Sequence, residues 1–141
     1  MPTLYLSLGT NLGDRRSNLE TAHTLIGRRI GTVQDKSGII ETEPWGFEST
    51  NRFLNMVAKV QTGLHPLDVL HTTQEIEKQM GRTAKSSNGK YEDRVIDIDI
   101  LLYDDLVMNT DELTIPHPLM YKRSFVMQPL AEIAPDLVKN S

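Results

Sequence analysis

The sequence predicts an α+β fold of the ferredoxin-like type, βαββαβ, an antiparallel sheet with helices packed on it. Two stretches repeat their apolar residues at helical spacing, several others alternate at strand spacing, and the two kinds follow one another in that order. Leu4, Leu6 and Leu8 alternate with Tyr5 and Ser7 in a first strand that runs into the glycine-flanked turn Gly9-Thr10-Asn11-Leu12-Gly13-Asp14. A helix then starts at Asp14 or Ser17 and reaches about Arg29, with Leu19, Ala22, Leu25 and Ile26 as its buried stripe. Residues 33–40 and 53–60 read as strands, the second because Phe53, Asn55, Val57 and Lys59 alternate with Leu54, Met56, Ala58 and Val60.

Between those strands lies a long loop holding the only tryptophan, Trp45, and a surface aromatic there invites a planar ligand. Pro66 suits the first turn of a second helix that reaches about Met80, with Leu67, Leu70, Ile76 and Met80 inward. Gln74 and Glu77 fall three apart, on one helical face. Residues 81–93 are polar around Ser86-Ser87-Asn88-Gly89 and read as a mobile loop. The strand that follows is discussed below. A short strand over Leu106, Val107 and Met108, the rigid run Ile115-Pro116-His117-Pro118 and a helix over 123–133 complete the chain.

Two acids stand out in Arg94-Val95-Ile96-Asp97-Ile98-Asp99-Ile100-Leu101-Leu102. Strand alternation puts Val95, Asp97, Asp99 and Leu101 on one side and Ile96, Ile98, Ile100 and Leu102 on the other. Asp97 and Asp99 stand roughly 7 Å apart, so their carboxylates can converge on one cation or bridge a pair about 3.5–4 Å apart. Oxygen-only ligands favour Mg²⁺ or Mn²⁺. A solvated sheet face explains two alternating acids as well, but flanking Val95 and Leu101 point to a partly enclosed site, where like charges need neutralising.

With 141 residues, 38% of them hydrophobic, the chain has the size and core of one domain, spanning 1–141. No apolar run is long enough to span a bilayer, and cysteine is absent, so a cytoplasmic protein without disulfides or thiolate chemistry is expected. A net charge of −4 argues against a nucleic-acid binder. Arg82, Lys85, Lys90 and Arg94 nevertheless cluster before the acidic strand, a combination of cations and metal-type carboxylates that suits a polyphosphate. The four histidines show no metal-ligand spacing, no P-loop is present, and Gly9-Thr10-Asn11-Leu12-Gly13 is not a dinucleotide fingerprint.

Six separated motifs occur in one order: residues 5–14, Glu41-Thr42-Glu43-Pro44 before Gly46, Phe53-Leu54-Asn55, Arg94 with Asp97, Asp99 and Tyr103, Pro116-His117-Pro118, and Arg123-Ser124-Phe125-Val126 followed by residues 129–135. Across nearly its whole length the chain thereby resembles the 6-hydroxymethyl-7,8-dihydropterin pyrophosphokinase family of folate biosynthesis. The resemblance implies transfer of pyrophosphate from ATP, the co-substrate, to the pterin hydroxymethyl oxygen, with AMP leaving. It implies that Asp97 and Asp99 hold two Mg²⁺ ions and that Arg82 and Arg94 contact the phosphates. It places Phe53 and Phe125 on the two faces of the pterin and Thr42, Pro44, Trp45 and Asn55 along its edge. On the ATP side it places Gln74, Glu77, Lys85, Tyr91, Arg94, Ile100, His117 and Arg123.

The chain departs from the family where Lys90-Tyr91-Glu92-Asp93-Arg94 replaces an Arg-Trp-Gly-Pro-Arg run and Ala84 stands at a frequently basic position. Tyr91 then takes the tryptophan's packing role and Lys85 the missing charge. Small-molecule substrates, no nucleic acid, no membrane and a monomer are expected. Competing expectations are a nucleotidyl- or glycosyltransferase, which also uses paired acids, and a catalytically silent binding module.

Overall fold

In the computed structural model, which describes residues 1–43, 52–81 and 95–138, the leucine-alternating stretch forms the central strand β1 (Thr3–Thr10). Strand β1 pairs antiparallel with β4 (Phe53–Thr62) on one side and β5 (Asp97–Tyr103) on the other. Beyond β4 lies β2 (Gly31–Lys36), giving the order β2-β4-β1-β5, and β3 (Ile40–Thr42) also pairs with β4. The single strand expected over 33–40 is therefore two. Ser37 ends the first: its amide donates to the Val57 carbonyl, and its Oγ accepts from the Val57 N–H at 2.9 Å, completing the local hydrogen bonding where the ladder breaks.

Helix α1 (Arg15–Arg29) starts where the Asp14 carboxylate accepts the Ser17 N–H at 3.1 Å, satisfying one of the free amides of the first turn. Helix α2 (Pro66–Gln79) has Pro66 at its first position and the His65 ring accepting the Leu67 N–H. Both helices lie on one sheet face, over Leu4, Leu6, Leu8, Met56, Ala58, Val60, Ile98 and Ile100. Burying each of the leucine, isoleucine, valine and methionine side chains among these contributes about 1.5–3 kcal/mol, which is what holds the face pattern of β1 in place. Leu19, Ala22 and Ile26 are buried as their spacing requires. In α2, Val69 and Thr73 are buried beside Ile76, whereas Leu67, Leu70 and Met80 are only partly so.

The opposite face is covered too. Helix α3 (Ser124–Ile133) and the short α4 (Pro135–Val138) pack Val126, Leu130, Ala134 and Val138 against Tyr5, Val57 and Leu101. Helices thus flank both sides of the sheet, where a plain βαββαβ unit covers one. A β-bulge in β5 shifts the register from Leu6 opposite Ile100 to Tyr5 opposite Leu102. Leu102 consequently joins Tyr5 on the α3 side, not Ile100 as unbroken alternation requires. The strand expected from Leu106 begins only at Met108. There β6 (Met108–Asn109) forms a hairpin with β7 (Thr114–Ile115), followed by a cis peptide between Ile115 and Pro116. Among the described residues no helix is long and apolar enough to cross a membrane.

Candidate functional site

Residues directly opposite each other in an antiparallel pair share a sheet face, so the register arranges the site in rows. Gly9 on β1 stands between Asn55 on β4 and Asp97 on β5. One row further along, Ser7 stands between Val57 and Asp99. Both rows lie on the face that carries α3. With strands about 4.8 Å apart, the Asn55 and Asp97 backbones are separated by roughly 10 Å, the bare backbone of Gly9 between them. The two carboxylates are half-buried, as the apolar flanks of the acidic stretch suggest.

On the Asn55 side the polar groups are fixed. Asn55 is 3% exposed, and its Nδ2 donates to Thr42 Oγ1 at 2.7 Å, which leaves Oδ1 as an acceptor turned toward Gly9. Phe53, the next residue on this face, brings its ring to the same place, 3.5 Å from the point a Cβ on Gly9 would occupy. Phe125 opens α3 half-buried, with the guanidinium carbon of buried Arg123 5.5 Å from its ring centroid, within cation–π range.

On the other side, Asp99, Ile100 and His117 line a cleft of about 220 Å³ beside the edge strand β5. The His117 amide donates to the Leu101 carbonyl and its Nδ1 accepts the Leu119 N–H at 3.2 Å, so the neutral ring carries its proton on Nε2. Leu70, Thr110, Leu113 and Thr114 line the same cleft and were not among the sequence-predicted residues. They come from α2 and from the β6–β7 hairpin, whose sequence signal is only the short polar turn after Asn109. Gln74 and Glu77 do not share an environment: Gln74 is exposed, whereas Glu77 is 2% exposed. Glu77 Oε2 accepts the Ile98 N–H at 2.9 Å, between the two acids. Pro44, Trp45, Arg82, Lys85, Tyr91 and Arg94, with the loop expected over 81–93, lie outside the described residues apart from Gly81.

Among the described residues no group of three or more His, Cys, Asp or Glu gathers into a metal site. Asp97 and Asp99 supply hard carboxylate oxygens from one sheet face, a set that fits Mg²⁺ when phosphate oxygens and water complete the shell.

Residues 5–135 match the family model described as 7,8-dihydro-6-hydroxymethylpterin-pyrophosphokinase. The chain belongs to this family. A 2-amino-4-hydroxy-6-hydroxymethyldihydropteridine pyrophosphokinase of Porphyromonas gingivalis is 50% identical over 136 residues, 96% of this chain and 92% of that protein. One from Bacillus subtilis is 41% identical over 138 residues, 97% of this chain and 81% of that protein. The fold also matches the crystal structure of wild-type Plasmodium falciparum HPPK-DHPS with pteroate, at TM-score 0.76 and 17% identity, over 93% of this chain and 40% of that longer polypeptide. As a member of the pyrophosphokinase family the chain is a transferase of folate synthesis. Its substrates are ATP and 6-hydroxymethyl-7,8-dihydropterin.

Proposed function

We propose that the rows of the sheet divide the two substrates of the pyrophosphokinase between them. The carrying observation is the row Asn55, Gly9, Asp97, which sets a ring-reading amide and a metal-type carboxylate on one face with nothing larger than a glycine between. The pterin lies between Phe53 and Phe125, its edge read by Asn55 and Thr42 and by Pro44 and Trp45. Asn55 Oδ1, its amide oriented by Thr42, accepts from the ring's N–H donors. ATP occupies the cleft beside β5. There the outward backbone of Ile100 and the Nε2–H of His117 meet the nucleoside, and Arg123 joins Lys85, Tyr91 and Gln74 around it.

In this reading Asp97 and Asp99 hold two Mg²⁺ ions, whose chemistry when bound is to neutralise phosphate oxygens and acidify the alcohol. The Ile98 amide between Asp97 and Asp99 is held by Glu77. Arg82 and Arg94 pair with the charge that builds on the transferred phosphoryl oxygens. The pterin alcohol oxygen attacks the β-phosphorus of ATP, the bond between that phosphorus and the α–β bridging oxygen breaks, AMP leaves carrying the bridging oxygen, and the alcohol proton passes to solvent. Positioning and electrostatics carry the rate, with no covalent enzyme intermediate. Residues 1–141 act as one domain and as a monomer, in keeping with exposed apolar side chains scattered over separate segments: Met1, Ile39, Leu106 with Val107, Tyr121 and Leu137. ATP as co-substrate fits a cytoplasmic site of action.

The test is to mix the protein with Mg-ATP and the reduced hydroxymethylpterin and follow nucleotides and pterins by chromatography. AMP and a pyrophosphorylated pterin should appear in equal amounts. Asp97→Asn should lower the rate at least 1,000-fold with an unchanged circular dichroism spectrum. Absence of AMP at saturating Mg²⁺, or an active Asp97→Asn protein, would overturn the assignment.

A further inference from the structure

Gly9 is a glycine for a reason its backbone does not supply. Among the described glycines only Gly13 (φ +72°) and Gly81 (φ +112°) adopt the left-handed conformation that favours the residue. A glycine inside a strand weakens it, since it loses more chain entropy on folding and has no side chain to pack. Its use here lies in space. A Cβ at Gly9 would stand 3.0 Å from Asn55 Oδ1 and 3.5 and 3.8 Å from two carbons of the Phe53 ring. Asn55 has little room to yield, because it is 3% exposed and its Nδ2 is committed to Thr42 Oγ1 at 2.7 Å. On its other flank, in the same row, is Asp97.

We infer that Gly9 is a positioning residue for the pterin. Its bare backbone is the floor over which the substrate's alcohol extends from the Asn55 acceptor toward Asp97, and a Cβ there displaces Oδ1 while meeting the Phe53 ring in ordinary contact. This rests on the placement of the pterin proposed above. The effect runs through Asn55, which gives it a signature distinct from loss of packing.

The test is a double-mutant cycle of Gly9→Ala and Asn55→Ala, read as kcat/KM for the pterin, with binding of a non-hydrolysable ATP analogue measured separately without pterin. Gly9→Ala should lower kcat/KM at least tenfold while affinity for the ATP analogue stays within twofold. In the Asn55→Ala background, where the blocking amide is gone, the same change should cost less than threefold. Equal losses in both backgrounds, or a matching loss of analogue affinity, would overturn the inference. If Gly9→Ala does not fold alone, a folded double variant supports the clash and an unfolded one refutes it. A wild-type protein that makes no AMP defeats the function reading itself, whereas an additive cycle in an active enzyme defeats only the role of Gly9.

Discussion

Replacing Glu77 with alanine removes the acceptor of the Ile98 N–H, a bond of 2.9 Å between two groups that are each 2% exposed. Among the described residues β5 pairs with β1 on one side only, so that outward amide has no ladder bond there to fall back on. Leaving a buried amide unsatisfied costs about 1–3 kcal/mol, and the lost side-chain packing adds to it. A total of about 2–4 kcal/mol follows, or a melting temperature lower by about 6–12 °C at roughly 3 °C per kcal/mol for a chain of this size. Glu77→Ala removes the side chain's charge together with the acceptor. Glu77→Gln separates the two, because it keeps a carbonyl acceptor and drops the charge. We expect Gln to lose less than half of what Ala loses. In activity assays Ala should also raise the Mg²⁺ concentration giving half-maximal rate several-fold, because Ile98 sits between the two acids. Thermal unfolding with and without Mg²⁺, and a Mg²⁺ titration of rate, measure both effects. A Glu77→Ala protein as stable as wild type, or a Gln variant as damaged as Ala, would refute the reasoning.

Two glycines should respond in opposite directions. Gly31→Ala would drive its Cβ into the Gln61 carbonyl oxygen, and since the obstacle is backbone the β2–β4 pair must move, at a cost of about 1–3 kcal/mol or more. Gly27→Ala, in helix α1 with nothing within 4 Å of the new methyl, should stabilise by about 0.5–1 kcal/mol; urea denaturation of both variants checks the pair. His23 is held below its ordinary pKa of 6.5 by burial first and by nearby Lys36 second. The unfolded chain therefore binds a proton the folded one refuses, so stability should fall as pH drops through about 6.5 and level off below the folded pKa. His23→Gln should flatten that slope, and an unchanged slope in its pH-dependent unfolding curve would exclude His23 as the cause. Phe125→Ala should raise KM for the pterin more than tenfold with KM for ATP within threefold, as steady-state kinetics with each substrate varied will show.

The elements that strict periodicity defines were readable from the residues alone: β1 from its leucines, α1 from Leu19, Ala22 and Ile26, and β5 from its isoleucines. Departures come where a long-range contact overrides the local pattern. Ser37 reads as the middle of a strand, and only its pairing with Val57 across the sheet explains the break. Leu102 changes face through a bulge that no alternation reveals. Within the site, Asp97 and Asp99 were visible because acids in an apolar strand are anomalous. Glu77 was not separable from Gln74 by spacing, as burial of one and exposure of the other depends on how α2 rolls against β5. Gly9 was read only as part of a turn, since its meaning lies in Asn55 and Phe53, more than forty positions away.

Along β1, Tyr5 lies in the apolar contact with α3, Ser7 faces Val57 and Asp99, and Gly9 faces Asn55 and Asp97, so one face passes from packed to polar within three side chains. Register, meanwhile, is set from the opposite face by Leu4, Leu6 and Leu8. The polar rows are therefore left to the substrates, and changes in them cost activity without loosening strand alignment. Substitutions that lower activity at unchanged stability should gather at the Gly9 end of this face, and temperature-sensitive ones at the Tyr5 end.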